Sequence, residues 1–136
     1  MATHRETAQL SIQTGRQQEL VDVTQRINEA IEGWDCPAVL VYVPHTTAGV
    51  LINEHADPDV ARDVLAALDR IVPADAAYRH AEGNAPAHVK AVLVSTSQMV
   101  PVTNGRLALG RWQGVFFAEF DGPRSRLMLV VPLETS

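Results

Sequence analysis

Apolar and polar residues alternate along much of this chain, and where the alternation stops a helical spacing takes over. From Thr7 to Val23 the apolar positions Leu10, Ile12, Leu20, Val21 and Val23 fall partly on alternate residues, with a break at Thr14-Gly15-Arg16. That pattern predicts two strands joined by a turn. Thr24 stands where an N-cap belongs, before a helix over Gln25 to Glu32 that carries Ile27, Ala30 and Ile31 on one face and meets Gly33 at its end. Ala38 to Val43, AVLVYV, is a β-branched run between two prolines and predicts a well-buried strand. AGVLINE, after it, predicts a further extended segment or the entry to a helix.

The clearest element follows. Asp57 is the expected N-cap and Pro58 suits the first helical position, while Val60, Val64, Leu65, Leu68 and Ile71 recur at helical spacing until Pro73 stops the helix. A second helix is expected from Pro86, ending before Ser95. The last forty or so residues read as strands. MVPV and LALG flank Thr103-Asn104-Gly105-Arg106, where Asn-Gly supplies the positive φ angles of a tight hairpin. GVFFAEF and RLMLVVPL are expected to pair across Asp121-Gly122-Pro123. Strands first, helices in the middle and adjacent strands at the end predict an α+β fold with a mainly antiparallel sheet and two or three helices.

Composition narrows this only moderately. The chain has 136 residues, 46 % of them hydrophobic and 20 % charged, which predicts one domain spanning 1–136. A net charge of −5 disfavours a nucleic-acid partner. The opening MATHRETAQLS lacks the apolar core of a signal peptide, and no run approaches the ~18 apolar residues of a membrane span. Cys36 is the single cysteine, so no internal disulfide forms and a reducing, cytoplasmic setting is expected.

Histidine is where chemistry enters. His45 follows the buried strand in VPHTTAG, and His80 and His88 stand eight apart in YRHAEGNAPAHVK, across a Gly-Asn-Ala-Pro turn. Three neutral imidazoles are a donor set for a borderline divalent metal with an open position. A hydrogen-bonding or solvated role is the competing reading for each, since no HExxH-type spacing is present. His4, near the start, and His55, before a helix, are expected to be structural or solvated. Thr46 and Thr47 beside His45, and Ser95-Thr96-Ser97, are candidates to hold a phosphate. Trp112 among glycines is expected to anchor packing, and one ring of Phe116-Phe117 to face the core while the other covers a subunit contact. Arg106, Arg111, Arg124 and Arg126 are expected to be solvated unless a phosphate recruits one.

Several stretches together resemble one family. SQMVPVTNGRLALGRWQGV, Ser97 to Val115, is similar to the signature of the YjbQ-like proteins, the secondary thiamine-phosphate synthases, at Ser97, Val100, Val102, Gly105, Gly110, Trp112, Gln113 and Val115. Arg111 replaces the threonine usual there. The likeness extends to HTTAGVLINEHADPDV, YRHAEGNAPAHVK and FFAEFDGPR, covering most of the chain from His45 onward. It implies a homotrimer with a histidine-lined metal site acting on a small phosphorylated metabolite. Carried over by motif, His45, His80 and His88 hold a divalent ion, zinc foremost, with magnesium an alternative beside pyrophosphate. His88, Glu54 and Asp57 take the catalytic and orienting roles, and Thr46, Thr47, Asn53, Asn84, Arg111 and Arg124 meet substrate. The implied reaction joins hydroxymethylpyrimidine diphosphate to a thiazole phosphate as a secondary activity. A hydrolase using histidine-bound water, and a trimeric metabolite-binding protein without catalysis, are the alternatives.

Overall fold

The alternating segments fold into two antiparallel sheets stacked face to face. A computed structural model describes residues 6–134, so His4 lies outside the described residues. The elements run β1 (Ala8–Gln13), β2 (Glu19–Asp22), α1 (Thr24–Ala30), β3 (Ala38–Tyr42), β4 (Ala48–Glu54), α2 (Pro58–Ile71), α3 (Ala85–Val94), β5 (Ser97–Thr103), β6 (Arg106–Leu107), β7 (Gln113–Glu119) and β8 (Ser125–Leu133). The larger sheet has the order β1-β8-β3-β5-β6 and the smaller β2-β7-β4, and all their pairings are antiparallel.

The core lies between the sheets. Ile12, Val39, Val41, Val100, Met128 and Val130 of the larger sheet meet Val50, Val115 and Phe117 of the smaller, and α1 closes the space with Ile27 and Ile31. Sheet period decides which residues point inward, and burial of these side chains drives the stacking. The other face of the small sheet is covered by helices. Ala87 and Ala91 of α3 and Leu65 and Leu68 of α2 pack with Leu51, Ala118 and Phe120. Lys90, buried on α3, locks this layer by donating to Asp69 of α2 and to Gln18 Oε1 at 2.7 Å. Among the described residues no helix covers the outer face of the large sheet, although its register lines up Leu40, Met99 and Val131 there, with Tyr42 beside Leu129.

Local signals hold well. Asp57 caps α2 by accepting from the Asp59 N–H at 2.9 Å, with Pro58 in the first turn. Asn104 and Gly105 take φ of 54° and 77°, as the β5–β6 hairpin needs. Thr24 corrects the expected cap: it is the first residue of α1, its hydroxyl donates to Asp22 Oδ1 at 2.6 Å and accepts the Val115 N–H at 2.8 Å.

Two expected hairpins are absent. β1 and β2 belong to different sheets, and so do β7 and β8. Each connection carries the chain across the sandwich, and the two crossings are bonded to each other. Thr14 N–H donates to the Arg124 carbonyl at 3.0 Å and Gly122 N–H to the Gln17 carbonyl at 3.0 Å. A side chain at 122 would put its Cβ 2.3 Å from the Arg16 carbonyl oxygen, so only glycine fits. Both Phe116 and Phe117 are buried within the chain, which corrects the expected subunit-facing ring. Trp112 is 55 % exposed with the Arg111 guanidinium 4.9 Å over its ring, so it is no packing anchor.

Candidate functional site

At the end of the sandwich where the chain crosses between sheets, a polar cleft of about 460 Å³ opens. His45 reaches it from the β3–β4 crossing, one residue beyond Pro44. Its Nε2 accepts the Leu127 backbone N–H at 2.9 Å. That bond uses the Nε2 lone pair, so the ring is neutral with its proton on Nδ1, and Nδ1 remains open to the cleft that the residue lines. Burial and the nearby Arg126 charge hold His45 below its ordinary value of 6.5, against an opposing pull from Glu119.

His80 and His88 form the opposite wall. Asn84, before α3, joins them to the β7–β8 crossing. Its carbonyl accepts the N–H groups of Ala87 at 3.1 Å and His88 at 3.3 Å, while its Nδ2 donates to Asp121 Oδ2 at 2.9 Å. Burial by itself would raise the Asp121 carboxyl, but hydrogen bonds from Asn84 and Arg124 outweigh it and hold the group below 3.8. Because Asp121 is an anion, the amide nitrogen of Asn84 must face it, which leaves the buried Asn84 Oδ1 as an acceptor with no protein partner. Arg124 Nη2 meets Asp121 Oδ2 at 2.9 Å, and His80 Nε2 lies 3.5 Å from Glu82 Oε1. Thr46 and Thr47 complete the lining. An adjoining recess of about 570 Å³ places Ser95, Thr96 and Ser97 beside His45 and His88.

The floor is a buried ion pair that the sequence reading did not anticipate. Glu119 is fully buried in the core-facing row of β7, and Arg126 of β8 meets it through Nε at 2.8 Å and Nη2, while Nη2 also donates to Thr47 Oγ1 at 2.8 Å. Thr14 Oγ1 at 2.7 Å and the Asp121 N–H at 3.0 Å supply the remaining donors to Glu119. Burial by itself would raise Glu119, and these bonds hold it low instead. Arg126 is therefore not solvated. A lone glutamate inside GVFFAEF was the signal available, since an ionisable group within an apolar strand needs partners.

Thus His45, Thr46, Thr47, His80, Asn84, His88 and Arg124 line one cleft. Asn53, Glu54, Asp57 and Arg111 do not. Asn53 and Glu54 end β4, opposite Gly114 and Gln113, whereas Thr47 stands at its start. Seven residues of strand put the two groups about 20 Å apart. Glu54 Oε2 accepts the Ala56 and Asp57 N–H groups at 2.9 and 3.1 Å and shapes the turn into α2, and Asp57 caps that helix. Arg111 lies over Trp112.

The donor set can be compared with the implied metal. Two imidazoles on one tetrahedral zinc stand with centroids roughly 5 Å apart, given metal–nitrogen distances of about 2.0–2.1 Å. His80 and His88 have centroids 5.0 Å apart with planes at 77°. That pair fits. His45 does not, because its Nε2 lone pair is committed to Leu127 and its Nδ1 bears the proton. Among the described residues no group of three or more His, Cys, Asp or Glu could hold a metal ion. A three-histidine centre is not preformed in the single chain.

A family model described as UPF0047 protein YjbQ-like matches residues 8–134. The UPF0047 protein YugU of Bacillus subtilis (strain 168) is 48 % identical over 120 residues, covering 86 % of this chain and 91 % of that protein. A UPF0047 protein of Methanocaldococcus jannaschii is 47 % identical over 117 residues, 85 % of each chain. Among solved structures, a YjbQ/UPF0047 protein of Clostridium acetobutylicum superposes with a TM-score of 0.89 at 44 % identity, over 93 % of this chain and 99 % of that one. A protein of Aeropyrum pernix K1 gives 0.90 at 34 % identity, over 96 % and 100 %.

Proposed function

We propose that in this chain, which belongs to the UPF0047 YjbQ-like family, the crossover cleft is an active site for a small phosphorylated metabolite. The observation that carries the reading is the meeting of His45, His80 and His88 with Arg124, Asn84 and two threonines, drawn from three distant parts of the chain. The Nδ1–H of neutral His45, the Arg124 guanidinium and the Thr46 hydroxyl are donors for phosphate oxygens. His80 and His88 stand by as proton carriers. A reaction of this class is departure of pyrophosphate from hydroxymethylpyrimidine diphosphate. Its carbon–oxygen bond breaks with both electrons going to pyrophosphate, and the thiazole phosphate nitrogen forms the new carbon–nitrogen bond of thiamine phosphate. The cleft contributes by holding both partners in line and stabilising the leaving oxygens.

The outer face of the large sheet supports a homotrimer. Leu40, Leu129 and Val131 lie beside Met99 and Tyr42, which are 66 % and 40 % exposed, and a second copy would cover them. No helix is long and apolar enough to cross a membrane among the described residues, and the single cysteine is buried, in keeping with a cytoplasmic setting.

Calorimetry with pyrophosphate tests the site, with and without added zinc and with metal content measured alongside. Wild type should bind, and Arg124→Gln and His88→Gln should each weaken binding about tenfold, some 1.4 kcal/mol. Absence of binding under both conditions refutes the reading. Water-dependent phosphoester cleavage would move the protein to the hydrolases, and binding without turnover of the two thiamine precursors to the binding proteins.

A further inference from the structure

The opposite end of the sandwich holds a second cluster that the proposed function does not use. Asp22 ends β2, and its Oδ1 accepts the Thr24 N–H at 3.0 Å and the Thr24 hydroxyl at 2.6 Å. The hydroxyl is fixed in turn by the Val115 N–H of β7 at 2.8 Å. This leaves Asp22 Oδ2 for His55 Nδ1, at 2.8 Å. Burial by itself would raise the Asp22 carboxyl, but the Thr24 and His55 bonds hold it low, so it is an anion facing the ring.

His55 is held at two further points. Its backbone N–H donates to the Trp112 carbonyl at 2.9 Å. Its ring lies against Gly114, where a Cβ would stand 2.3 Å from Nδ1 and 2.5 Å from Cγ. The glycine is a floor cut to the imidazole. In the neutral ring, with Nδ1–H committed to a carboxylate, the lone pair of Nε2 is left as an acceptor.

That ring and Asp22 line a groove of about 1110 Å³ between α1 and the β5–β6 hairpin. One wall is tied to the other by the Leu107 N–H, which donates to Asn28 Oδ1 at 2.9 Å. Among the described residues the side chains lining the groove are polar or charged. Asp22, Glu29 and Glu32 carry carboxylates, Gln25 and Asn104 offer amides, and Arg26 and Arg106 offer the guanidinium groups that an anion would need. Such a wall is dense in hydrogen-bonding groups. It suits a molecule with several hydroxyls and an anionic group, hydrogen-bonded throughout.

We propose that Asp22 and His55 are the proton-accepting end of a second binding site, which takes a polyhydroxylated anionic metabolite of the sugar-phosphate class. One ligand hydroxyl donates to His55 Nε2, and Arg26 and Arg106 take the anion. The site stands about 20 Å along the strands from the crossover cleft, by the length of β4, so the two can be probed separately.

The test is long-range proton–nitrogen NMR on the histidine rings of the isotope-labelled full chain, with glycerol phosphate as probe and glycerol and inorganic phosphate as controls. Free protein should show His55 protonated on Nδ1. Glycerol phosphate should shift its Nε2 saturably below ~10 mM, and Arg106→Gln should weaken that response about tenfold. Asp22→Asn keeps an oxygen for Thr24 but turns an NH₂ toward the ring, so the proton should move to Nε2 and the response vanish. Should that variant fold poorly, His55→Gln, read through the backbone amide of Arg106, should lose glycerol phosphate binding. A proton on Nε2 in the wild type overturns the proposal, as does a silent His55 with all three probes. An equal response to inorganic phosphate, or to glycerol, overturns the sugar-phosphate assignment.

Discussion

Replacing Arg126, a residue only 8 % exposed, with methionine removes its guanidinium while leaving the fully buried Glu119 in place. Methionine approximates the arginine stem, so the main loss is electrostatic. Glu119 keeps two donors, Thr14 Oγ1 and the Asp121 N–H, and loses the two charge-assisted bonds from Nε and Nη2. Breaking a buried pair from one side costs about 3–5 kcal/mol. With an unfolding entropy of about 2.1 cal/mol/K per residue over 136 residues, Tm should fall by roughly 10–17 °C at fixed protein concentration.

The pH dependence separates this cause from simple loss of packing. In the wild type Glu119 is held below its ordinary 4.5, so its contribution is present above that value and is lost only as pH falls through the lowered one. In Arg126→Met the stranded carboxyl is raised, and it must either stay charged and buried or take up a proton. Proton uptake becomes easier by about 1.4 kcal/mol per pH unit on acidification. The gap between the two proteins in urea denaturation should therefore narrow from neutral pH toward 4.5. A loss under about 1 kcal/mol at neutral pH, or a gap that stays constant, would refute the account.

Three further outcomes follow from other parts of the molecule. Gly122→Ala drives its Cβ to 2.3 Å from the Arg16 carbonyl oxygen, a backbone atom that cannot swing away, and should cost about 2–3 kcal/mol in urea denaturation. Gly33→Ala, with open space and only φ of 83° against it, should lose about 1 kcal/mol; equal losses would show that steric contact is not the cause. Native His45 resists protonation, so its share of stability is complete above 6.5 and declines as pH falls below it, and His45→Gln should flatten that limb of the stability profile. Asp22, Asp69 and Asp121, held below 3.8 in the native state, add their losses only on further acidification. On the proposed trimer, Met99→Glu on the open sheet face should reduce the light-scattering mass from three times the 14.8 kDa chain to that of one chain; an unchanged trimer mass would place the subunit contact elsewhere, and a wild type of one-chain mass would refute the trimer.

Short-range order could be read from the residues because its causes lie within a few positions. Asp57, Pro58 and Pro73 delimit α2 through a cap, a preset φ and a missing N–H. Asn104-Gly105 makes the one expected hairpin that forms. The α+β class and the candidate histidines follow from the same kind of reading, and the family signature covers the rest of the resemblance.

Partnership between strands was decided by the tertiary structure. β1 and β2 carry the pattern of a hairpin, as do β7 and β8, yet each pair splits because the inward faces of two sheets have to be filled at once. Register and alternation look the same for a neighbour close by and for one more than a hundred residues away, such as Thr14 on Glu119, 105 positions apart. The same folding separates Glu54 and Asp57 from the histidines with which the family resemblance grouped them, buries Arg126, and turns the His45 lone pair toward Leu127. Residue type sets what a side chain can do. Which groups it meets depends on how apolar faces from distant segments are buried together, and that sum runs over the whole chain.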